Sequence, residues 1–205
     1  MAELTSLDAV TEYLAGSATE SRRLIGIVGA PGAGKSTIAE ALVRAMDRAA
    51  RLPMDGYHLP QAELVRLGRR ERMGAPDTFD VEAFVAALDR VRNSGSSVSV
   101  RGFDREIEEP VDDAIVIEQE LRTVIVEGNY LLLENDGWSR VAPLLDVTFF
   151  VAVDERVRHE RLIARHIRYG KSATDARAWA LGPDEHNASM IAATAHLADH
   201  MIALP

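Results

Sequence analysis

Residues able to do chemistry concentrate at Gly29-Ala30-Pro31-Gly32-Ala33-Gly34-Lys35-Ser36, a complete G-x-x-x-x-G-K-[ST] pattern followed by Thr37. Each residue type has a task in holding a polyphosphate. The glycines let the backbone curl until successive N–H groups surround phosphate oxygens. The Lys35 ammonium reaches the β- and γ-phosphates, and the Ser36 hydroxyl is a ligand for Mg²⁺. Two acids close apolar stretches further on. Asp55, in Met54-Asp55-Gly56, is placed to take the proton of an attacking hydroxyl across a cleft from the γ-phosphate. The plainer reading is a turn aspartate before glycine. Glu127-Gly128 ends Thr123-Val124-Ile125-Val126, as expected of a carboxylate near Mg²⁺ or its waters, with an ordinary strand-end acid as the alternative. Arg158, Arg161, Arg165 and Arg168 recur three or four residues apart, with Val157, Ile163 and Ile167 opposite them to pack. At least one of Arg165 and Arg168 is expected to contact phosphate, against the plainer reading of a solvated basic face.

These groups need a scaffold, and the apolar periodicity supplies one. Leu24–Val28 reads as a buried strand running into the phosphate loop, and Thr37–Met46 as a helix aiming its N-terminal amides at the phosphates. Leu4, Leu7, Val10 and Leu14 predict a short amphipathic helix over 4–16. Further strands are expected at Ala49–Met54, Ser97–Val100, Thr123–Val126, Val147–Val153 and Met201–Ala203. Asp80 caps a helix carrying Val81, Phe84, Leu88 and Val91 on one face, and Arg156–Arg168 and Asp184–His196 read as helices. Strands alternating with helices imply a three-layer α/β/α sandwich with a mostly parallel sheet, its ligand at the carboxyl ends of the strands.

At 205 residues the chain reads as one domain spanning 1–205. A hydrophobic content of 47% with 27% charged residues is that of a soluble globular protein. The net charge of −9 argues against nucleic acid as a partner, because a phosphate backbone would be repelled. With no cysteine there is no disulfide or thiolate chemistry. Neither a signal peptide nor a membrane-length apolar run is visible, so no membrane partner and a cytoplasmic location are expected.

The segments GAPGAGKST, MDGYHLP, GAPDTFD, FDREIEEPV and VIVEGNYLLL together resemble the phosphoribulokinase, uridine kinase and pantothenate kinase group. Within that group the chain is similar to small bacterial proteins labelled fructose-transport-system kinases, from about Leu24 to the C-terminus. The resemblance implies a P-loop NTPase fold of the nucleoside kinase-like type, with ATP and Mg²⁺. It implies Asp55 as general base, Lys35 on the transferring phosphoryl group and Glu127 beside the metal. Tyr57, His58 and Asn129 would line the acceptor pocket, and a lid around 158–180 would carry the arginines. Related kinases are often dimers. The expected reaction is transfer of the γ-phosphate to a hydroxyl of a small metabolite, a sugar first, with nucleoside and pantothenate-like acceptors open. Excluding water from such a reaction asks for a lid.

Other signals have bland readings beside sharp ones. Arg69-Arg70-Glu71-Arg72 could attract an anionic acceptor, but reads first as a solvated helix end. Asp104 and Arg105 could bind substrate hydroxyls or form a structural ion pair. Glu106, Glu108, Glu109, Asp112 and Asp113 around Pro110 read as an exposed acidic loop. His196 and His200 have metal-ligand spacing but no third ligand. Trp138 and Trp179 read as packing residues, and Asp184 and Asn187 resemble a substrate-side segment of pantothenate kinases. Two alternatives stay open, a partner-regulated ATPase and a nucleoside monophosphate kinase. Neither needs a base at Asp55, and no Asn-Lys-x-Asp guanine-reading motif is present.

Overall fold

Side chains alternate across a strand, and in this chain the alternation sorts the apolar residues into two cores. The computed structural model describes residues 2–16, 21–135 and 137–203. In β2 (Arg23–Val28), Leu24 and Val28 enter one hydrophobic cluster, while Ile25 and Ile27 enter another. In β6 (Thr123–Gly128), Val124 and Val126 face the first cluster and Ile125 the second. Strands buried on both faces belong to a sheet covered on both sides. The sheet has six strands in the order β1-β8-β7-β2-β6-β3, all pairs parallel. The others are β1 (Ala2–Leu4), β3 (Ala49–Pro53), β7 (Val147–Ala152) and β8 (His200–Ala203). Helices α1 (Leu7–Gly16) and α2 (Lys35–Ala45) pack on the second cluster through Val10, Leu14, Ile38 and Leu42. After them come α3 (Gln61–Arg66) and α4 (Val81–Asn93), and α4 places Phe84, Leu88 and Val91 in the first cluster. Asp80 caps α4 by accepting a hydrogen bond from the Ala83 amide. The expected three-layer architecture is therefore the observed one.

Four expectations need correction. The first helix starts at Leu7, because Ser6 caps it and Leu4 is taken into an edge strand against β8. The acidic stretch after Arg105 is largely strand: β4 (Val98–Asp104) and β5 (Glu109–Ile117) form an antiparallel hairpin outside the main sheet. Its Asp112-Asp113 pair, with Asp113 at φ 52°, breaks the alternation by which a strand is recognised. The last helix, α7 (Pro183–Ala193), stops before His196, and His200 lies on β8 stacked on Phe149, so these two histidines share no helix face. Finally, α5 (Glu155–Arg168) buries Arg158 and Leu162, whereas Ile167 is exposed. It is followed by α6 (Ala173–Leu181). Among the described residues no helix is long and apolar enough to cross a membrane.

Candidate functional site

Strand register does most of the positioning. Glu127 pairs across from Ile27 of β2 on one side and Pro53 of β3 on the other. The acid at the end of β6 therefore stands between the root of the phosphate loop, which leaves β2, and Asp55, which follows β3. The loop turns on Gly32 (φ 81°) and Gly34 (φ 95°), left-handed conformations that suit glycine. Gly32 also has no room for a side chain, since a Cβ would lie 2.8 Å from Leu162 Cγ and 2.9 Å from the Arg158 carbonyl oxygen. Helix α5 is thus packed directly on the loop.

Lys35 is buried, and its Nζ donates to the Ala30 carbonyl at 3.0 Å. Burial lowers its pKa to about 8, against the opposing pull of Glu127 and Asp55. Ser36 Oγ donates to the Glu127 carboxylate, 3.0 and 3.1 Å from its two oxygens. Burial, reinforced by Asp55, pushes the Glu127 carboxyl up against Lys35 and Arg51. Asp55 sits in the 3₁₀ turn Met54–Tyr57, its carboxylate bound by the Arg105 guanidinium. Burial pushes Asp55 upward, but Arg105, His58, Lys35 and Arg165 outweigh it and hold the carboxyl at about 2. Gly56 lets this turn lie on the hairpin, because a Cβ there would meet the Arg101 carbonyl oxygen at 2.5 Å.

His58 is buried between Phe79 and Phe103, with ring centroids at 4.0 and 4.8 Å. Its Nδ1 faces the Asp55 carbonyl at 2.8 Å and so carries the hydrogen, and burial keeps the ring neutral. Asp55, His58, Lys35, Ser36, Glu127 and Asn129 all line one cleft. Arg165 lines both this cleft and the adjoining pocket over Gly32, Gly34 and Thr37, while Arg168 is exposed at that pocket only. Arg165 has no ion-pair partner among the described residues, and burial lowers its pKa, with Arg105 adding to the effect. Of the remaining loop residues, Gly29, Pro31 and Ala33 are buried and Ala30 is half-buried.

Other expected site residues stand elsewhere. Tyr57 does not line the cleft: it is 2% exposed and packs on Phe84, 5.0 Å between centroids, because a 3₁₀ turn points neighbouring side chains apart. Asp104 reaches a groove under the hairpin, but its carboxylate accepts from the Glu106 amide at 2.8 Å and holds the turn. Arg158 faces Glu185 beneath α5 and takes no place in the phosphate pocket. Glu155, His159 and Glu185 offer ligand atoms within 4.8 Å of one another. The Arg158 guanidinium already binds Glu185 and contacts His159, so the cluster is an ion-pair clamp.

The cleft also holds residues that sequence reasoning had missed or set aside. Arg70 lines it while bonded to Gln61 and Glu108. Trp179, expected to pack, lines it half-buried with the Lys171 ammonium 4.4 Å from its ring centroid. His166, at 2.7 Å from Asp184, joins Tyr169 and Asn187 on the same wall. Arg70 carried a signal in the basic run Arg69-Arg70-Glu71-Arg72 and Asn187 in the segment similar to pantothenate kinases, whereas His166, Tyr169, Lys171 and Trp179 carried none that pointed to a site.

Comparison with known proteins gives the same picture. Residues 20–89 match a family profile described as P-loop Nucleotide Kinase3. A Schizosaccharomyces pombe protein described as a uridine kinase is 34% identical over 170 residues, covering 78% of this chain and 72% of that protein. The uridine kinase of Clostridium perfringens is 34% identical over 146 residues, 70% of this chain and 67% of that one. The crystal structure of a Silicibacter sp. TM1040 protein described as a fructose transport system kinase superposes with a TM-score of 0.89. It is 32% identical and covers 97% of this chain and 99% of its own. The resemblance drawn from the motifs is borne out: the chain belongs to the P-loop nucleotide kinase family and is a kinase.

Proposed function

We propose that this kinase transfers the γ-phosphoryl group of ATP, with Mg²⁺, to a hydroxyl of a small metabolite, a sugar foremost. The observation that carries the proposal is the convergence of Asp55, Lys35, Ser36 and Glu127 on a single cleft that continues beyond them. Its volume of ≈ 150 Å³ is well below the roughly 300–1,000 Å³ of drug-sized sites, which fits a small acceptor. The acceptor oxygen forms its bond to the γ-phosphorus as the bond to the bridging oxygen breaks, and the electron pair leaves with ADP. The hydroxyl proton passes to the Asp55 carboxylate. A loose transition state leaves little charge on the nucleophile, so the proton passes late. Lys35 and Arg165 face the transferring group with positive charge, and Arg168 flanks the nucleotide.

The paired oxygens of Ser36 and Glu127 fit Mg²⁺, a hard cation, and would hold it directly or through its waters. When bound, the ion neutralises charge on the β- and γ-oxygens. Residues 158–180, from α5 into α6, are the segment we assign as a lid excluding water. His58 and Asn129 stand on the acceptor side.

The test is ADP release from MgATP with a panel of fructose and other sugars, pantothenate, uridine, ribulose 5-phosphate and glycerate. Stimulation by one compound, with the mass of its phosphorylated product, is the expected result. Asp55→Asn abolishes that transfer and leaves nucleotide binding in place. Hydrolysis indifferent to every acceptor, or full turnover by Asp55→Asn, would sink the proposal.

A further inference from the structure

Arg105 occupies a position that simple substrate binding does not explain. It follows β4 on the hairpin turn, whose backbone is held by Asp104 through the Glu106 amide. Its guanidinium donates to Asp55 Oδ2, the atom group that must receive the acceptor's proton. While that bond lasts, the base is occupied. Arg105 also stands where three depressions meet. It lines the acceptor cleft with Asp55 and Asn129, the phosphate-loop pocket with Gly32, Gly34 and Lys35, and the hairpin groove with Arg51 and Glu127. A long, half-exposed side chain on a fixed backbone can exchange partners at such a junction.

The groups facing Asp55 are Arg105 from the hairpin, His58 from its own turn, Lys35 from α2, Arg165 from α5 and Glu127 from β6. Of the cations, Arg105 alone is hydrogen-bonded to the carboxylate among the described residues. A terminal phosphate carries more charge and more acceptor oxygens than one carboxylate, and a planar guanidinium meets phosphate with two parallel bonds. Resting on the reading of Asp55 as base, we propose that Arg105 is a γ-phosphate sensor: it masks Asp55 in the nucleotide-free protein and unmasks it by moving to the γ-phosphate of a bound triphosphate. A diphosphate presents no γ-phosphate and leaves the mask in place. The device keeps water, as well as acceptor, from an unoccupied base until the triphosphate is seated.

A double-mutant cycle in calorimetric binding, with Mg²⁺ and either the β,γ-imido analogue of ATP or ADP, tests this without any acceptor. Arg105→Gln weakens the triphosphate analogue about tenfold and leaves ADP within about twofold, the size expected of losing charged hydrogen bonds. Asp55→Asn removes the resting partner and strengthens the triphosphate analogue about fivefold. In the Arg105→Gln background the same Asp55→Asn change then has little effect, because there is no mask to undo. If repulsion between Asp55 and the γ-phosphate were the whole effect, Asp55→Asn would strengthen binding equally in both backgrounds, and that result overturns the proposal. Equal weakening of ADP and analogue by Arg105→Gln overturns it too. Thermal melting checks that each variant is folded, which the 40% exposure of the Arg105 side chain favours. A silent acceptor panel with the cycle intact defeats the transfer reading alone; transfer without the cycle defeats the sensor alone.

Discussion

Gly56→Ala tests whether the hairpin sets the position of Asp55. The added Cβ would lie 2.5 Å from the Arg101 carbonyl oxygen, 2.7 Å from its carbon and 3.1 Å from the Gly102 nitrogen. All three are backbone atoms, so no side chain can rotate away. Reaching even 3.0 Å from the oxygen asks turn and strand to separate by about 0.5 Å, an overpacking worth about 1–3 kcal/mol. The lower unfolded-state entropy of alanine returns roughly 0.4–1 kcal/mol of that. For a chain of this size each kcal/mol moves Tm by about 2–4 °C, so a fall of a few degrees is expected. The same displacement acts on the residue next to Asp55, where a misplacement approaching 1 Å costs up to about 10²-fold in rate. Nucleotide affinity stays the same, because the phosphate loop is untouched. Gly95→Ala is the control, with nothing within 4 Å of its added Cβ. The assays are thermal denaturation, calorimetric binding of ATP, and turnover of the acceptor that the panel identifies. Gly56→Ala and Gly95→Ala indistinguishable in both Tm and turnover would refute the reasoning.

Three other outcomes follow from particular contacts. Lys35, lowered to about 8 by burial, regains its proton beside a polyphosphate, so ATP binding takes up protons above that pH and Kd weakens about tenfold from pH 7 to 9. The nucleotide's own last ionisation is complete below this window, and calorimetry in buffers of different ionisation enthalpy that finds no uptake at pH 8–9 contradicts the placement of Lys35. Arg22 donates to the carbonyls of Leu121, Val91, Glu118 and Gln119 at 2.9–3.2 Å, tying β2 to the end of α4 and the strand approach to β6. Arg22→Ala therefore costs about 2–4 kcal/mol in urea unfolding without changing the KM for ATP, and a loss under about 0.5 kcal/mol would show the staple to be idle. Tyr57→Phe keeps the packing on Phe84 and leaves the acceptor KM within about twofold, whereas a large KM rise would return Tyr57 to the acceptor pocket.

How far the site could be read in advance depended on how locally each part is determined. The phosphate loop was legible because left-handed turns, an ammonium and a hydroxyl ligand each demand particular residue types at fixed spacing, here Gly32, Gly34, Lys35 and Ser36. Asp55 and Glu127 were legible as acids ending apolar strands, and the parallel register then brings them to the same end of the sheet. Tyr57 lies two residues beyond Asp55, and whether it enters the cleft or the core depends on a 3₁₀ turn with no signal of its own. The β5 strand was hidden by its own acids. Arg70, His166, Lys171 and Trp179 come from separate elements and meet only in three dimensions. The signals of Arg70, His166 and Lys171 were those of ordinary surface residues, as charged runs usually are, and that of Trp179 was of a packing residue.

The resting site has one further property, visible only when its bonds are considered together. Lys35 is held by the Ala30 carbonyl, Ser36 by Glu127, Asp55 by Arg105, and Asp184 by His166. A buried polar group left unpartnered costs about 1–3 kcal/mol, more when charged, so a site built to meet phosphates must satisfy itself in their absence. Substrate binding then exchanges partners, and each contact yields only the difference between the new bond and the surrogate it replaces. Nucleotide affinity is accordingly smaller than the number of phosphate contacts suggests. Discrimination is sharpened by the same exchange, since a ligand that fails to offer the replacement bond leaves the surrogate in place. Arg165, without an ion-pair partner among the described residues, is the exception. It enters the reaction with no bond to break, and its positive charge next to Arg105 is a cost that an arriving phosphate relieves. Replacing Arg165 by Gln thus removes a pure gain, and we expect a larger loss of triphosphate affinity from it than from Arg105→Gln, measured in the same titrations; the reverse order would mean that the surrogates are weak and the resting site is not self-neutralised.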